Sequence, residues 1–414
     1  MLQTVKENEI VFYVGTSKLV AMYGQIRGGE PRIHRQVVRM NPDGFKHGFV
    51  ISLEKASAVL EEMLDTLMPS LGSEDVAAFV VLGNRKLKTY KFSSSVYFQG
   101  LRRTISSHEI HSVVDQTRSV ATLPLSEFVL QAIPESFLVN DMPGIRNPLG
   151  MDAHRIGVDL NLFTMEFEDF KNINKAFESA EITVKGYFPK TLLVSEAVLS
   201  DQEKEDGALV IDMVDDATHM VLWKNGRLTR TKVESLGSSY LDEKMAEAWQ
   251  IETHDAEKVI EKFATLERSP QFGEDLIPLV DRNGKRNHQI PRRKFQEKLM
   301  EQTREWMGKI LDSAKAFCEE EKVMHPHYIF TGSTTALNGS LEFLQDEFSL
   351  DARIGCTKKV EAPNEILVDS SMAGILGMYR WLSTLERDRQ RLFEPKGMVQ
   401  KTFATARSWF SNYF

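Results

Sequence analysis

Residues 10–23 read IVFYVGTSKLVAMY, and this stretch decides how the fold begins. Residues 10–14 are β-branched or aromatic, and the run ends at Gly15. An apolar run over residues 19–23 resumes a strand pattern after the polar residues Thr16, Ser17 and Lys18. β-Branched and aromatic residues favour strands, and a glycine followed by short polar residues favours a turn. The stretch therefore predicts a strand, a tight turn and a returning strand.

The residues that follow alternate between helical and strand patterns. Apolar residues recur at helical spacing from Ala56 to Pro69, and a buried strand is predicted at Val76–Leu82. The opening pattern then recurs in the second half: residues 208–211 form a buried strand that ends at Asp212, and a hairpin over residues 219–226 turns at Asn225-Gly226. This alternation predicts an α/β protein whose second half repeats the first.

An insertion interrupts the first half. Between residues 84 and 164, short strand patterns surround a loop rich in Pro and Gly, which indicates an α+β subdomain. Later, a long helix is predicted from Pro291, and a strand at 328–331 leads into Gly332. The predicted organisation is a first lobe over 1–84 and 166–204, an insert over 85–165, a second lobe over 205–385, a polar linker over 386–395 and a helix over 396–414.

Composition narrows the class of protein. The chain has 414 residues, 42% hydrophobic and 27% charged, as in a soluble protein of two or three domains. Its 51 basic and 59 acidic residues give a net charge of −8, which argues against nucleic acid as a partner. Two cysteines suit a reducing compartment. No export signal is evident, and the most continuous apolar run, Val76–Leu82, is far shorter than the roughly 20 residues of a membrane span.

The C-terminal segment differs from the rest of the chain. Its apolar residues recur at helical spacing, flanked by Trp409: they are Val399, Phe403, Ala406, Phe410, Tyr413 and Phe414. Lys396, Lys401 and Arg407 give it a charge of +3, so the remaining chain carries −11. A cationic helix with an aromatic face is typical of a segment that lies in a membrane surface. Packing on its own domain and binding of a partner protein are the alternatives.

Other candidate sites have competing interpretations. The glycine turns at Gly15 and Gly332 could present N–H groups to phosphates or be ordinary turns, since neither fits a standard phosphate-loop spacing. Asp212 could hold a metal-bound water or cap a turn. The basic run that includes Arg286, Arg292 and Arg293 could be a solvated face or the landing site of an acidic peptide. No pattern predicts a protein-bound metal.

One block makes a family resemblance specific. Residues 144–151 read GIRNPLGM and lead into the predicted strand that ends near Thr164. With residues 180–199, 255–258, 353–355 and the tail, this block is similar to the FtsA family of actin-like bacterial cell-division proteins, from Ile10 to Phe414. The resemblance implies a two-lobed fold of the actin/Hsp70/sugar-kinase superfamily, with an inserted α+β subdomain and a C-terminal amphipathic helix.

The same resemblance implies a function. The protein would tether FtsZ filaments to the inner face of the cytoplasmic membrane at the division septum, recruit later divisome proteins and self-associate into filaments. The FtsZ C-terminal peptide would bind near Arg286, Arg292 and Arg293. The anionic membrane surface would be bound through residues of the tail: Val399, Lys401, Phe403, Arg407, Trp409, Phe410 and Phe414. A pilus-assembly scaffold of related fold is an alternative, which the tail and the 148–151 block oppose.

The family's ATP and Mg²⁺ site is altered in this chain. By resemblance it would comprise Gly15, Thr16, Ser17, Lys18, Asp212, Thr218 and Gly332, with Asp212 as the catalytic candidate. However, Tyr13 replaces an expected Asp, and Val214, Asp215 and Asp216 replace three glycines. Two like charges about 4 Å apart cost about 4 kcal/mol at an effective dielectric near 20, which is almost a thousandfold in affinity. We therefore expect ATP binding to be weakened or lost; an active ATPase or kinase of the superfamily is the rival interpretation.

Overall fold

The computed structural model describes residues 7–68, 76–98, 102–267, 275–280 and 287–393. Its strands follow in chain order: β1 (Glu7–Val14), β2 (Lys18–Arg27), β3 (Glu30–Met40), β4 (Phe45–Lys46), β5 (Phe49–Val50), β6 (Val76–Leu82), β7 (Lys88–Tyr97), β8 (Arg103–Thr104), β9 (Glu127–Val139), β10 (Met142–Ile145), β11 (Asp152–Ala153), β12 (Arg155–Glu166), β13 (Ile182–Pro189), β14 (Ala208–Met213), β15 (Thr218–Lys224), β16 (Arg227–Glu234), β17 (Leu276–Val280), β18 (Asn287–Pro291), β19 (His327–Gly332) and β20 (Ala352–Ile354).

The helices also follow in chain order: α1 (Leu53–Leu67), α2 (Ser107–Val120), α3 (Phe167–Ser179), α4 (Lys190–Val198), α5 (Asp201–Asp206), α6 (Ser239–Trp249), α7 (Thr253–Phe263), α8 (Arg292–Glu320), α9 (Ser340–Phe348), α10 (Asn364–Val368) and α11 (Ala373–Phe393). Two short 3₁₀ turns, Ser333–Ala336 and Ser370–Met372, follow β19 and precede α11.

Two five-stranded sheets with the same topology form the two lobes. The first has the order β13-β6-β1-β2-β3 and the second has the order β16-β15-β14-β19-β20. In each, a first strand pairs antiparallel with the second and parallel with the strand on its other side. The turns after β1 and β14 are therefore equivalent, and the predicted α/β class and repeated opening are confirmed.

Burial explains the central strands. All six residues of β14 are buried, because the strand lies in the middle of its sheet with both faces covered. β6 has the bounds predicted from its apolar run, Val76–Leu82. The β15–β16 turn places Asn225 and Gly226 at positive φ, as the Asn-Gly pair predicts.

The insert forms its own antiparallel sheet, β10-β9-β12-β7, with α2 packed against it. Ile110, Val113 and Val114 of α2 share one apolar core with Val158 and Leu160 of β12. A capping box between Ser106 and Glu109 begins the helix. The expected α+β subdomain is therefore present.

The last helix returns to the first lobe. α11 follows the second lobe's strands in the chain but packs on α4, β1 and β2. The Tyr379 hydroxyl lies 3.0 Å from the Glu9 carbonyl oxygen and 2.9 Å from that of Met22. The predicted second-lobe segment 205–385 therefore ends in a helix that belongs to the first lobe's packing.

The prediction of a polar linker over 386–395 is wrong for most of its length, because α11 continues to Phe393. Residues 386–391 alternate acidic, basic and amide side chains. Glu, Arg and Gln are good helix formers, so this composition suits a solvated helix as well as a linker. The predicted tail helix, 396–414, lies outside the described residues. In the part of the chain that the structure describes, no helix is long and apolar enough to span a membrane.

Two helical glycines give a matched test of this packing. A Cβ at Gly377 of α11 would lie 2.0 Å from the Leu193 carbonyl oxygen of α4, whereas one at Gly308 of α8 would meet nothing within 4 Å. We expect Gly377→Ala to destabilise the fold by about 2 kcal/mol or more, because the two helices must separate. Gly308→Ala should stabilise it by roughly 0.5–1 kcal/mol. Urea unfolding measures both, and equal effects would contradict the close helix contact.

Candidate functional site

The two equivalent turns face each other across the cleft between the lobes. In the first, the Gly15 N–H donates to the Lys18 carbonyl at 3.0 Å; in the second, the Val214 N–H donates to the Ala217 carbonyl at 3.0 Å. The Thr16 hydroxyl donates to Asp215 Oδ2 at 3.4 Å, which joins the two turns. Residues 214–217 all have negative φ, so the second turn forms without glycine.

A buried ion pair lies at the base of this cleft. Lys190 begins α4 with its side chain 1% exposed, and its Nζ is 2.7 Å from Oδ2 of Asp212, which is fully buried. The Thr331 hydroxyl donates to Asp212 Oδ1 at 2.8 Å. Burial opposes the charge of each partner, but the mutual attraction wins: the pKa of Asp212 is lowered and the pKa of Lys190 is raised.

Tyr13 covers the ion pair from the first lobe. Its side chain is buried at the end of β1, and Lys190 Nζ lies 5.5 Å from the centre of its ring. The ring packs so closely on Gly15 and Gly83 that a Cβ at either would lie 2.7 Å from it. Burial raises the pKa of Tyr13, so the phenol stays neutral. The cleft floor is thus filled by a tyrosine ring and a lysine stem.

His219 is the cross-strand neighbour of Asp212. It is fully buried, and neither ring nitrogen has a hydrogen-bond partner among the described residues. Burial lowers the pKa of His219 to about 4, although the Asp212 carboxylate opposes the shift. The imidazole is therefore neutral at pH 7 and leaves Lys190 as the charged partner of Asp212.

The two acidic side chains of the second turn, Asp215 and Asp216, contact different segments. Asp215 accepts from Thr16, whereas Asp216 Oδ2 lies 3.7 Å from His47 Nδ1 and 3.9 Å from Arg85 Nε. Burial raises the pKa of Asp216, and the nearby His47 and Arg85 side chains oppose that shift. Only Asp215 therefore faces the first turn, while Asp216 is directed at two other segments of the first lobe and insert.

The other residues of the predicted nucleotide site lie in or beside the two turns and have protein partners. The Lys18 ammonium donates to the Ser371 hydroxyl, and burial lowers the pKa of Lys18. The Thr218 hydroxyl donates to the Leu236 carbonyl at 2.7 Å, and the Ser17 carbonyl accepts from the Asn41 N–H at 2.6 Å.

Gly332 is the last residue of the predicted nucleotide site. Its φ is 98°, and a Cβ there would lie 2.0 Å from the Met213 carbonyl oxygen. A glycine is therefore needed where β19 meets the end of β14.

Two of the three predicted partner-binding arginines are described. Arg292 begins α8, with its guanidinium 5.7 Å from the Phe263 ring centre and 3.7 Å from Asp275 Oδ2. Arg293 is 83% exposed and pairs with Glu297 at 3.1 Å. Arg286 lies outside the described residues, as do the predicted membrane-binding residues Val399, Lys401, Phe403, Arg407, Trp409, Phe410 and Phe414.

Sequence reasoning missed Lys190, Thr331 and His219 as parts of this cluster. His219 and Thr331 follow from the strand register, since each is directly opposite Asp212. Lys190 had no pattern to mark it: it follows a strand at a helix start, where a lysine is ordinarily solvated.

This architecture defines a class: two-lobed actin-like proteins with an insertion in the first lobe. The fold is similar to a solved structure named "PilM-PilN type IV pilus biogenesis complex", with TM-score 0.63, 13% identity, and coverage of 90% of this chain and 97% of that chain. It is also similar to MreB 5 of Spiroplasma citri bound to AMPPNP, with TM-score 0.53, 13% identity, and coverage of 93% and 98%. At these identities the likeness shows the fold alone.

The insert and the curated relatives point to one branch of that class. Residues 85–164 match the family model described as "SHS2 domain inserted in FTSA". The chain is 22% identical to cell division protein FtsA of Pseudomonas aeruginosa, covering 86% of this chain and 84% of that protein. It is 18% identical to FtsA of Neisseria meningitidis, covering 98% of both. The resemblance to FtsA, the actin-like cell-division protein, is confirmed over most of the chain.

Because Lys190 and Asp212 form a buried ion pair, we expect that replacing Lys190 lowers the free energy of unfolding by an amount that depends on pH. Lys190→Met should destabilise the protein by roughly 3–5 kcal/mol at pH 7, because Asp212 is left buried and unpaired. In that variant the folded-state pKa of Asp212 rises above its unfolded value, so the folded state gains a proton as pH falls. The deficit against the parent should therefore shrink by up to about 1.4 kcal/mol per pH unit towards pH 5.

Urea unfolding at pH 7 and pH 5 measures this deficit. Lys190→Met with Asp212→Asn should show a smaller and pH-independent deficit, since no buried carboxylate remains. Lys315→Met, at an exposed position of α8, is the matched control. A Lys190→Met deficit that is the same at both pH values would contradict the assignment.

Proposed function

We propose that this protein is a cell-division scaffold that tethers FtsZ filaments to the cytoplasmic side of the inner membrane at the division septum. It would recruit later divisome proteins and self-associate through its actin-like body. The observation that carries the proposal is the FtsA-type insert at residues 85–164 within an actin-like frame that resembles FtsA over most of its length.

The start of α8 supports a site for an acidic peptide. Arg292, Arg293 and Lys294 occupy its first turn, which has no acidic residue. Cations there are opposed by the helix dipole, and the Arg293 side chain is 83% exposed, so it is accessible to a partner. Beside them, β17 exposes Leu276, Pro278 and Val280 on one face. An apolar row next to a basic turn is complementary to an amphipathic acidic segment such as the FtsZ C-terminal peptide.

The tail supplies the membrane contact in this proposal. Its aromatic side chains are each worth roughly 1.5–3 kcal/mol when buried, and its +3 charge adds attraction to anionic lipid. Together these contributions favour reversible attachment rather than permanent insertion.

One co-sedimentation assay tests the tether. With anionic vesicles and a labelled FtsZ C-terminal peptide, the full chain should pellet and carry the peptide. Trp409→Glu should reduce pelleting of both the protein and the peptide, because it places a charge beside the aromatic face, whereas Ser411→Glu should have less effect.

The same assay tests the peptide site. Arg286→Glu with Arg293→Glu should weaken peptide binding about tenfold while leaving the protein on vesicles, if the two charge reversals together cost about 1.4 kcal/mol.

Lys175→Glu with Lys315→Glu makes the same change of charge at exposed positions of α3 and of the C-terminal half of α8. Equal peptide loss in the two double variants would place the peptide site elsewhere. A chain ending at Pro395 that pellets as well as the full chain would exclude the tail as the anchor.

The proposal includes weakened or lost binding of ATP and Mg²⁺, because the cleft fits the pair poorly. Asp212, the candidate for holding a metal-bound water, is already neutralised by Lys190 at 2.7 Å. Tyr13 occupies the floor beside Gly15, and Asp215 puts a negative charge at Thr16 of the first turn. A polyphosphate entering there would meet a carboxylate and a ring rather than free N–H donors.

Calorimetric titration with Mg-ATP tests this part. The parent should show no saturable binding below millimolar nucleotide. Asp215→Gly should recover more affinity than Asp216→Gly, because only Asp215 faces the first turn. Micromolar binding with turnover by the parent would favour the rival ATPase or kinase.

A further inference from the structure

We propose that Asp215 and Asp216 form an interlobe clasp that holds the cleft closed without nucleotide. In this arrangement the turn after β14 contacts three separate segments of the first lobe and insert, at Thr16, His47 and Arg85. The inference rests on the proposed weakness of nucleotide binding but not on membrane or FtsZ tethering.

The contacts of the clasp come from distant parts of the chain. Thr16 lies in the turn after β1, His47 lies between β4 and β5, and Arg85 follows β6 at the start of the insert. Asp215 accepts from Thr16 at 3.4 Å, and Asp216 lies 3.7 Å from His47 and 3.9 Å from Arg85. A pair of adjacent acids thus reaches three positions that are far apart in sequence.

Asp216 is buried, which strengthens its electrostatic interactions with neighbouring groups. The Asp216 side chain is 7% exposed, and its carboxylate oxygens have no hydrogen-bond donor among the described residues. A buried carboxylate in that position is costly unless cations stand nearby. Opening the cleft would move Asp216 away from His47 and from the Arg85 guanidinium, so this attraction between the lobes exists only in the closed arrangement.

The turn itself is built to hold the two acids. The Ser238 N–H donates to the Val214 carbonyl at 3.0 Å, and the Ser239 N–H donates to the Asp215 carbonyl at 2.8 Å. A Cβ at Gly237 would lie 2.3 Å from the Val214 carbonyl oxygen, so the backbone packs tightly behind the turn. The acids therefore project from a fixed backbone rather than from a loose loop.

Two further contacts cross the same cleft below the clasp. Lys190 pairs with Asp212, and Lys18 of the first turn donates to Ser371, whose segment bonds to Gly332 and Thr335 of the second lobe. The chain therefore supplies its own cations and hydroxyls between the lobes. A scaffold closed in this way would keep one shape whatever the nucleotide concentration.

Pulsed electron paramagnetic resonance on the full chain tests the clasp. Spin labels at Glu61→Cys of α1 and Glu342→Cys of α9, both exposed, report the interlobe distance in a Cys356→Ser background. The parent should give one narrow distance distribution, the same with and without millimolar Mg-ATP. Asp216→Asn should add a longer-distance population, because it removes the attraction between the carboxylate and the Arg85 guanidinium without changing shape. Thr16→Val with Asp215→Ala should do the same, because it removes the hydrogen bond between the two turns.

Asp65→Asn, at an exposed position of α1, is the matched control and should leave the distribution unchanged. Variants that keep the narrow parent distribution would overturn the clasp while leaving weak nucleotide binding intact. A broad parent distribution that Mg-ATP narrows would overturn both. Neither readout depends on vesicles or on FtsZ, so failure of the tether is measured separately. Thermal melting of each labelled variant confirms that a longer-distance population comes from folded protein.

Discussion

The buried ion pair between Lys190 and Asp212 is the constraint on which the rest of the cleft depends. A charge at either position is tolerated only because the other is 2.7 Å away and Thr331 satisfies a further oxygen. Lys190 comes from the helix that follows the first lobe's last strand, and Asp212 comes from the centre of the second lobe's sheet. The pair therefore fixes α4 against the second sheet. It also explains Gly374 of α11, where a Cβ would lie 2.6 Å from the Lys190 stem.

The insert strengthens this coupling from another side. Arg146 of the insert bonds to Glu205 and to the Asn225 carbonyl at the β15–β16 turn. Asn161 donates to the Leu228 carbonyl at 3.1 Å, and the hydroxyls of Thr89 and Thr231 are 2.6 Å apart. Ile133 and Phe163 of the insert share a core with β14 and β15. The insert is thus joined in sequence to the first lobe and packed on the second, so it resists the same opening that the cleft contacts resist.

Most strands of the two sheets are predictable from the sequence, because a buried strand needs a continuous local run of apolar residues. The runs at 10–14, 76–82 and 208–211 contain the side chains that a doubly covered strand must bury, and each forms a strand. The linker prediction failed since charged helix formers leave helix and linker equally possible. Asp212 and the turn residues are predictable because each directly follows a strand pattern, and Tyr13 departs from the residue that the family resemblance implies at its position. Lys190 was not predictable, because its partner is 22 residues away and neither residue's burial is visible in composition.

The cleft residues that depart from the pattern implied by the family resemblance each have a local structural basis. Tyr13 fits only because Gly15 and Gly83 lack side chains, and its ring covers the ammonium that neutralises Asp212. Val214, Asp215 and Asp216 are accommodated because their turn uses negative φ values throughout, so no glycine is required. Restoring a glycine there would remove a carboxylate but leave the ring and the lysine in place. Changing Tyr13 to an acid would put a second buried carboxylate beside Asp212 with one lysine to balance both. Under the proposed function, the cleft is therefore organised around internal charge pairs, and a single substitution such as Asp215→Gly recovers at most part of the affinity for nucleotide.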